Sequence, residues 1–135
     1  MTEVLKSSPE NELRRLIDIV AKLRGPEGCP WDIEQTPESM IPFLLEEAYE
    51  VVESIEDGKQ EDILAELGDL LLHIVMQAQM AEERNNFELR DAIYSINEKL
   101  IRRHPHVFSD DNSQSKRIED AKENWERVKK SEGRK

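Results

Sequence analysis

The chain has 135 residues, enough for one ordinary domain with a single modest core. With 36% charged and 37% hydrophobic residues, five glycines and six prolines, it leans away from disorder and towards helices on a well-solvated surface. A formal net charge of −11 argues against non-specific binding to DNA or RNA, though not against a nucleotide bridged to acidic residues by a cation.

Residues 1–10 read as a flexible leader without the apolar centre of a signal peptide. Over 11–24 the apolar Leu13, Leu16, Ile17, Val20 and Leu23 recur at helical spacing, and Gly25-Pro26 ends that helix. A loop follows over 25–37, carrying the single cysteine, Cys29, so no intrachain disulfide can form and a reducing compartment is expected. A second helix is expected over 37–56, with Pro42 tolerated near its first turn, and Asp57-Gly58 marks a turn. A third helix runs over 60–84, its apolar stretch interrupted by Glu66, Asp69 and His73, so no membrane span is expected. A fourth spans 87–103 and ends at Pro105, and 109–116 reads as a polar linker. The last helix, over 117–130, carries Ile118, Ala121, Trp125 and Val128 on one stripe, before a polar tail at 131–135. No strand pattern appears. The expected fold is all-α, a helical bundle over 11–130 in one soluble, cytoplasmic domain.

The chemistry concentrates on the second and third helices. Leu44, Leu45, Ala48, Val51, Val52 and Ile55 share one broad face, with Glu46, Glu47 and Glu50 together on the other side. On the third helix Ile63, Leu67, Leu70, Leu71, Ile74 and Ala78 form a face, and Glu66 and Asp69 form an acidic strip beside it. In an antiparallel hairpin about Gly58, Glu50 matches Glu66 and Glu47 matches Asp69, at levels roughly 12 to 16 Å from the turn. Ala65, Leu72 and Met76 make the third helix apolar on its second side too, so these acids are expected between packed surfaces. Gly68 would admit a close backbone. Crowded carboxylates repel one another, and either protons or a divalent cation must relieve them. All-oxygen ligands favour magnesium, manganese or calcium over zinc or copper, and magnesium, with manganese as a substitute, is the natural choice if a substrate brings phosphates.

These motifs resemble those of the MazG-type nucleoside triphosphate pyrophosphohydrolases, in the all-α NTP pyrophosphatase superfamily. The resemblance rests on Glu46-Glu47-x-x-Glu50 and Glu66-x-x-Asp69, on Gly28-Cys29-Pro30-Trp31-Asp32 with Gln35-Thr36, and on 102–108, Arg-Arg-His-Pro-His-Val-Phe. It implies conversion of a nucleoside triphosphate to monophosphate and pyrophosphate, with Mg2+ held by Glu47, Glu50, Glu66 and Asp69. It also implies a homodimer or homotetramer, which agrees with the doubly apolar third helix. Phosphate contacts are implied for Lys99 and Arg103, four apart on one helix face, with further contributions from Trp125 and Lys129. Some members carry a basic residue shortly before the second acidic motif, where this chain has Glu61-Asp62.

Among these residues, Glu46 or Glu47 would orient or deprotonate the attacking water as catalytic group. Trp31 either stacks on a nucleobase or packs its loop, and Trp125 either meets the ligand or fills the core. His73 reads as a satisfied core histidine ahead of a partner for a ligand carboxylate. The alternative outside enzymes is a nucleotide- or cation-binding helical regulatory oligomer without turnover. A di-iron bundle ranks low because Glu-x-x-His pairs are missing.

Overall fold

The computed structural model describes residues 7–109 and 117–133. Most of the expected leader, most of the linker and the end of the tail therefore lie outside the described residues. Seven helices are described: α1 (Pro9–Leu23), α2 (Pro30–Glu34), α3 (Ile41–Asp57), α4 (Gln60–Glu83), α5 (Leu89–Arg103), α6 (Pro105–Phe108) and α7 (Ile118–Ser131). Among the described residues there is no strand, and the fold is all-α. They form two compact units, Met1–Leu89 and Arg90–Lys135.

In the first unit, α1 begins two residues before the sequence reading places it. Ser8 caps it, its hydroxyl accepting from the Asn11 N–H at 3.1 Å, and Pro9 fills a position where no donor is needed. The short α2 was not anticipated, because Pro30 was read as loop punctuation when it starts a helical turn instead. The start of α3 slips to Ile41, since Thr36 and Ser39 cap each other's N–H groups at 2.8 and 3.0 Å and hold 36–40 as a turn. Gly58 closes α3 at φ +80°, a left-handed position suited to glycine, with its N–H on the Ser54 carbonyl at 2.9 Å. The chain then returns as α4, packed against both α3 and α1.

The core of this unit is Val20, Met40, Val75, Met76 and Met80, with Leu13, Leu16, Ile17, Leu72 and Leu89 against it. On α3 the inward positions are Glu47, Val51 and Ser54, while Leu45, Val52 and Ile55, on the same broad face as Val51, are more than half exposed. On α4 the buried residues, Val75, Met76, Ala78, Met80 and Ala81, all lie in the second half, and Leu67, Leu71 and Ile74 stay exposed. Helix periodicity marks an apolar stripe; it does not say which stripe a helix apolar on two sides turns inward. Among the described residues nothing lies within 4 Å of where a Gly68 side chain would begin, so none of their backbone approaches there. By length and composition alone α4 would suffice to cross a membrane, a feature the sequence reading had discounted on account of its acids.

In the second unit, α6 starts where Pro105 was expected only to end a helix. The bounds of α5 and α7 fall within two residues of expectation.

Candidate active site

The hairpin of α3 and α4 brings three acids together. Glu47, Glu66 and Asp69 each offer a carboxylate oxygen lying within 4.8 Å of the others. Glu47 is buried, Glu66 half-buried and Asp69 exposed, so the expectation of acids uniformly shut between packed surfaces does not hold for Asp69. Glu50 is half-buried and falls outside that group of three, yet its carboxyl acts on that of Glu47. Burial is the main cause pushing the Glu47 carboxyl up to about 8; hydrogen bonding with Glu66 and Glu50, which needs a shared proton, and the charge of both carboxylates push the same way.

Two buried oxygens of this group, Oε1 of Glu47 and Oε2 of Glu66, have no hydrogen-bond partner. A buried polar atom without a partner is costly and calls for a proton, a water or a cation. The donors are all hard oxygens at mutually short range, which fits a divalent ion of the magnesium, manganese or calcium type and not a soft-metal centre.

Beside the carboxylates opens a cavity of ≈ 240 Å3, below the roughly 300 Å3 at which small-molecule pockets begin. Its apolar walls are Trp31, Met40, Phe43, Leu72 and Met76, and its polar ones Asp32, Glu46, Glu47 and His73. Trp31 meets Phe43 edge-on, ring centroids 5.8 Å apart. Trp31 thus packs its loop and lines the cavity at once. Expected as a satisfied core histidine, His73 is instead a half-buried cavity wall whose ring makes no hydrogen bond among the described residues.

The cavity wall is held by a residue that sequence reasoning missed. Arg24 follows α1 with its side chain only 9% exposed. Its Nε and Nη2 donate to Glu83 at 3.0 and 2.8 Å, while Nη1 donates to the carbonyls of Asp32 and Gln35. Gln35 in turn donates to the Trp31 carbonyl at 2.8 Å and accepts from the Ser39 hydroxyl at the same distance. Arg24 therefore ties α2 to the end of α4, and its guanidinium holds the Glu83 carboxyl below the usual range. Gly28 serves the same loop, because a Cβ there would meet the Leu23 carbonyl oxygen at 2.2 Å. The one available signal for Arg24 was a loop of prolines and glycines whose carbonyls needed donors. Arg24→Ala should cost about 2–4 kcal/mol in urea unfolding, since Glu83 and two carbonyls lose their partner. Arg24→Lys should recover under half of that, as an ammonium cannot reach all three groups.

The expected phosphate-binding residues all belong to the second unit. Lys99 and Lys129 are half-buried and form no ion pair among the described residues. Arg103 is different: it is 3% exposed, its Nη2 donates to Glu132 at 3.0 Å, and its guanidinium carbon lies 4.6 Å from the centre of the Trp125 ring. Arg102 also donates to Glu132, and hydrogen bonds from Arg102 first and Arg103 second draw that carboxyl down to about 2. His104 stacks at a tilt on both His106 and Trp125, 5.4 Å from each.

A helical hairpin with clustered carboxylates beside an aromatic-lined cavity defines a class, the all-α cation-and-ligand sites built on paired helices. The comparisons narrow it. The chain belongs to the MazG family, since the MazG nucleotide pyrophosphohydrolase domain matches residues 35–108. It is 50% identical over 117 residues to the nucleoside triphosphate pyrophosphohydrolase/pyrophosphatase MazG of Thermotoga maritima, covering 86% of this chain and 46% of that protein. To the nucleoside triphosphate pyrophosphohydrolase of Escherichia coli K12 it is 45% identical over 123 residues, covering 90% of this chain and 46% of that one. The crystal structure of a mazG-related protein from Thermotoga maritima superposes with a TM-score of 0.71 at 28% identity, covering 87% of this chain and 98% of that chain. The chain spans less than half the length of these two sequence relatives.

Proposed function

We propose that this chain hydrolyses nucleoside triphosphates to the monophosphate and pyrophosphate, with Mg2+ as cofactor and Mn2+ as substitute. One observation carries the reading: Glu47, Glu66 and Asp69 converge within 4.8 Å, with buried oxygens left unpartnered, beside a cavity lined by aromatic rings. The two relatives named for this activity support it.

Glu47, Glu66 and Asp69 would hold the cation, with Glu50 completing the set beside Glu47. A bound divalent ion supplies Lewis acidity towards the phosphoryl oxygens and neutralises the leaving pyrophosphate. Of the two catalytic candidates, burial favours Glu47 as a ligand and the exposed Glu46, on the cavity wall, as the group that orients the water and takes its proton. The water oxygen bonds to phosphorus as the bridging α–β P–O bond breaks. Trp31 offers a ring face to the base. Lys99 and Lys129, without carboxylate partners, are free to meet phosphate charge, with Arg103 and Trp125 as the more constrained contributors in their unit.

The same reading makes residues 11–130 one functional domain of a soluble, cytoplasmic protein without a nucleic acid partner. It also makes the protein a homodimer or homotetramer, because Leu45, Val52, Leu64, Leu67 and Ile74 leave α3 and α4 with an open apolar surface of the kind a second copy covers. To test the activity, purified protein is incubated with a panel of nucleoside triphosphates and Mg2+, and products are separated by anion exchange. Monophosphate and pyrophosphate should appear and chelation should stop them. Orthophosphate with diphosphate, or no product from any nucleotide, would reject the proposal.

A further inference from the structure

The cavity beside Glu47 holds two side chains, Asp32 and His73, that form no hydrogen bond or ion pair among the described residues. Asp32 and His73 are half-buried on walls that also carry Glu46 and Glu47 and are otherwise apolar. Neither side chain makes a hydrogen bond among the described residues, although Asp32 feels the charge of Arg24. Polar groups at the edge of an apolar cavity normally find partners within the protein, and those that do not are available to a ligand. Their backbone, by contrast, is fixed: Asp32 through its own carbonyl, which Arg24 holds, and His73 by its place in the middle of α4. Fixed main chain with unspent side-chain hydrogen-bonding capacity is the arrangement of a recognition wall.

The chemistry of that wall is lopsided. Carboxylate oxygens accept hydrogen bonds, and three carboxyl groups line the cavity, Asp32, Glu46 and Glu47, of which Glu47 is given to the cation above; the imidazole of His73 offers one donor and one acceptor when neutral. A group bearing several N–H donors suits such a wall. Carbonyl oxygens do not, since their lone pairs would face the carboxylates. The volume, ≈ 240 Å3, accepts a single heterocycle between aromatic walls better than it accepts a whole nucleotide.

We propose that Asp32, with His73 beside it, is a specificity-determining residue that selects nucleobases carrying an exocyclic amino group. This rests on the nucleotide reading above and adds to it the substrate class. The Asp32 carboxylate accepts from the amino N–H, and His73 meets a neighbouring ring atom. Bases that differ only at that group are thereby told apart, at the discrimination ordinarily given by a base-edge hydrogen-bond pair.

The test uses two substrate pairs: dGTP against dITP, which differ only by the amino group, and dCTP against dUTP, in which the amino group is replaced by a carbonyl and N3 gains a proton. The ratio of kcat/KM within each pair is measured for the full chain, for Asp32→Asn and for His73→Gln. An amino preference of roughly tenfold in at least one pair is expected, falling to about threefold or less in Asp32→Asn, whose amide donates as well as accepts. Asp32→Ser serves if the amide variant melts early, because a ratio between substrates is independent of the amount of folded protein. Loss of packing alone would lower both members of a pair together. No preference in either pair, or a preference that both Asp32 variants keep, overturns the inference while leaving the pyrophosphohydrolase reading intact. Should no triphosphate be hydrolysed, that reading fails, and equilibrium binding of non-hydrolysable analogues of the same pairs with Mg2+ decides this one by the same ratios.

Discussion

Glu47→Gln should cut pyrophosphate release by about 10²–10³-fold or more and should also make the metal-free protein more stable than its parent at pH 9. Both effects come from one property: Glu47 is the buried member of the carboxylate group, and its carboxyl is pushed up to about 8 from 4.5, chiefly by burial. Between those values the folded chain retains a proton that the unfolded chain has released. Stability from this group is therefore full below about pH 4.5 and is lost as pH rises through about 8. Thermal melts in chelator should show the parent softening across that window, and Glu47→Gln, which has no proton to lose, should lack that share of the slope. With Mg2+ present the order reverses. The cation takes the place of the shared proton, so apparent affinity should climb towards pH 8 and binding near neutrality should release close to one proton, read by calorimetry in two buffers. Asp69→Asn is the contrast: Asp69 is exposed, so activity should fall as far with little gain in the metal-free melt. If Glu47→Gln keeps the parent's pH slope, burial of Glu47 is not its cause, and the carboxylate cluster loses its physical basis.

That cluster was legible in the sequence because helix geometry is local. Residues at i and i+3 on each arm of a hairpin, counted from Gly58, bring Glu47 and Asp69 to one level whatever surrounds them. What surrounds them was not legible. Whether Leu45 or Val51 faces inward depends on which partner α3 meets, and a helix with apolar residues on two sides leaves the choice to tertiary packing. The same limit hid the cavity, whose walls come from α2, α3 and α4 and from Met40 between them. Arg24 could be read as an ordinary basic residue at a helix end; its four hydrogen bonds, reaching as far as Glu83, need the fold before they can be counted. His73, one turn beyond Asp69, reads in the sequence as a core histidine, yet in the fold it lines the cavity together with Trp31 and Phe43. Prolines misled in a consistent way. In the sequence Pro30 reads as part of a loop and Pro105 as a helix end, and each is the first residue of a short helix, a position where a missing N–H costs nothing.

Arg103→Leu should destabilise the second unit by about 2–4 kcal/mol, whereas Lys99→Ala should leave its melting nearly unchanged and raise KM about tenfold. The family resemblance implies the same task for these two residues, four apart on one helix face, but their surroundings separate them. Arg103 is almost wholly enclosed, stacked on Trp125 and bonded to Glu132, so removing it takes away one of that carboxylate's two guanidinium partners and opens a ring face. Lys99 has no carboxylate to strand, and its charge is what a phosphate would use. Arg103→Lys keeps the charge while losing the flat stack and the fork, so its cost should fall between those of the other two. In a Trp31→Phe background the remaining indole is Trp125, and its fluorescence follows unfolding of the second unit alone. Acid gives an independent check. Glu132 is held at about 2 by Arg102 and Arg103, so the stability it lends is present above about pH 4.5 and disappears as pH falls through about 2. Glu132→Gln should remove that acid transition from the Trp125 signal. If Arg103→Leu melts like the parent and raises KM instead, then the pairing with Glu132 is incidental and Arg103 belongs with Lys99 among the phosphate contacts.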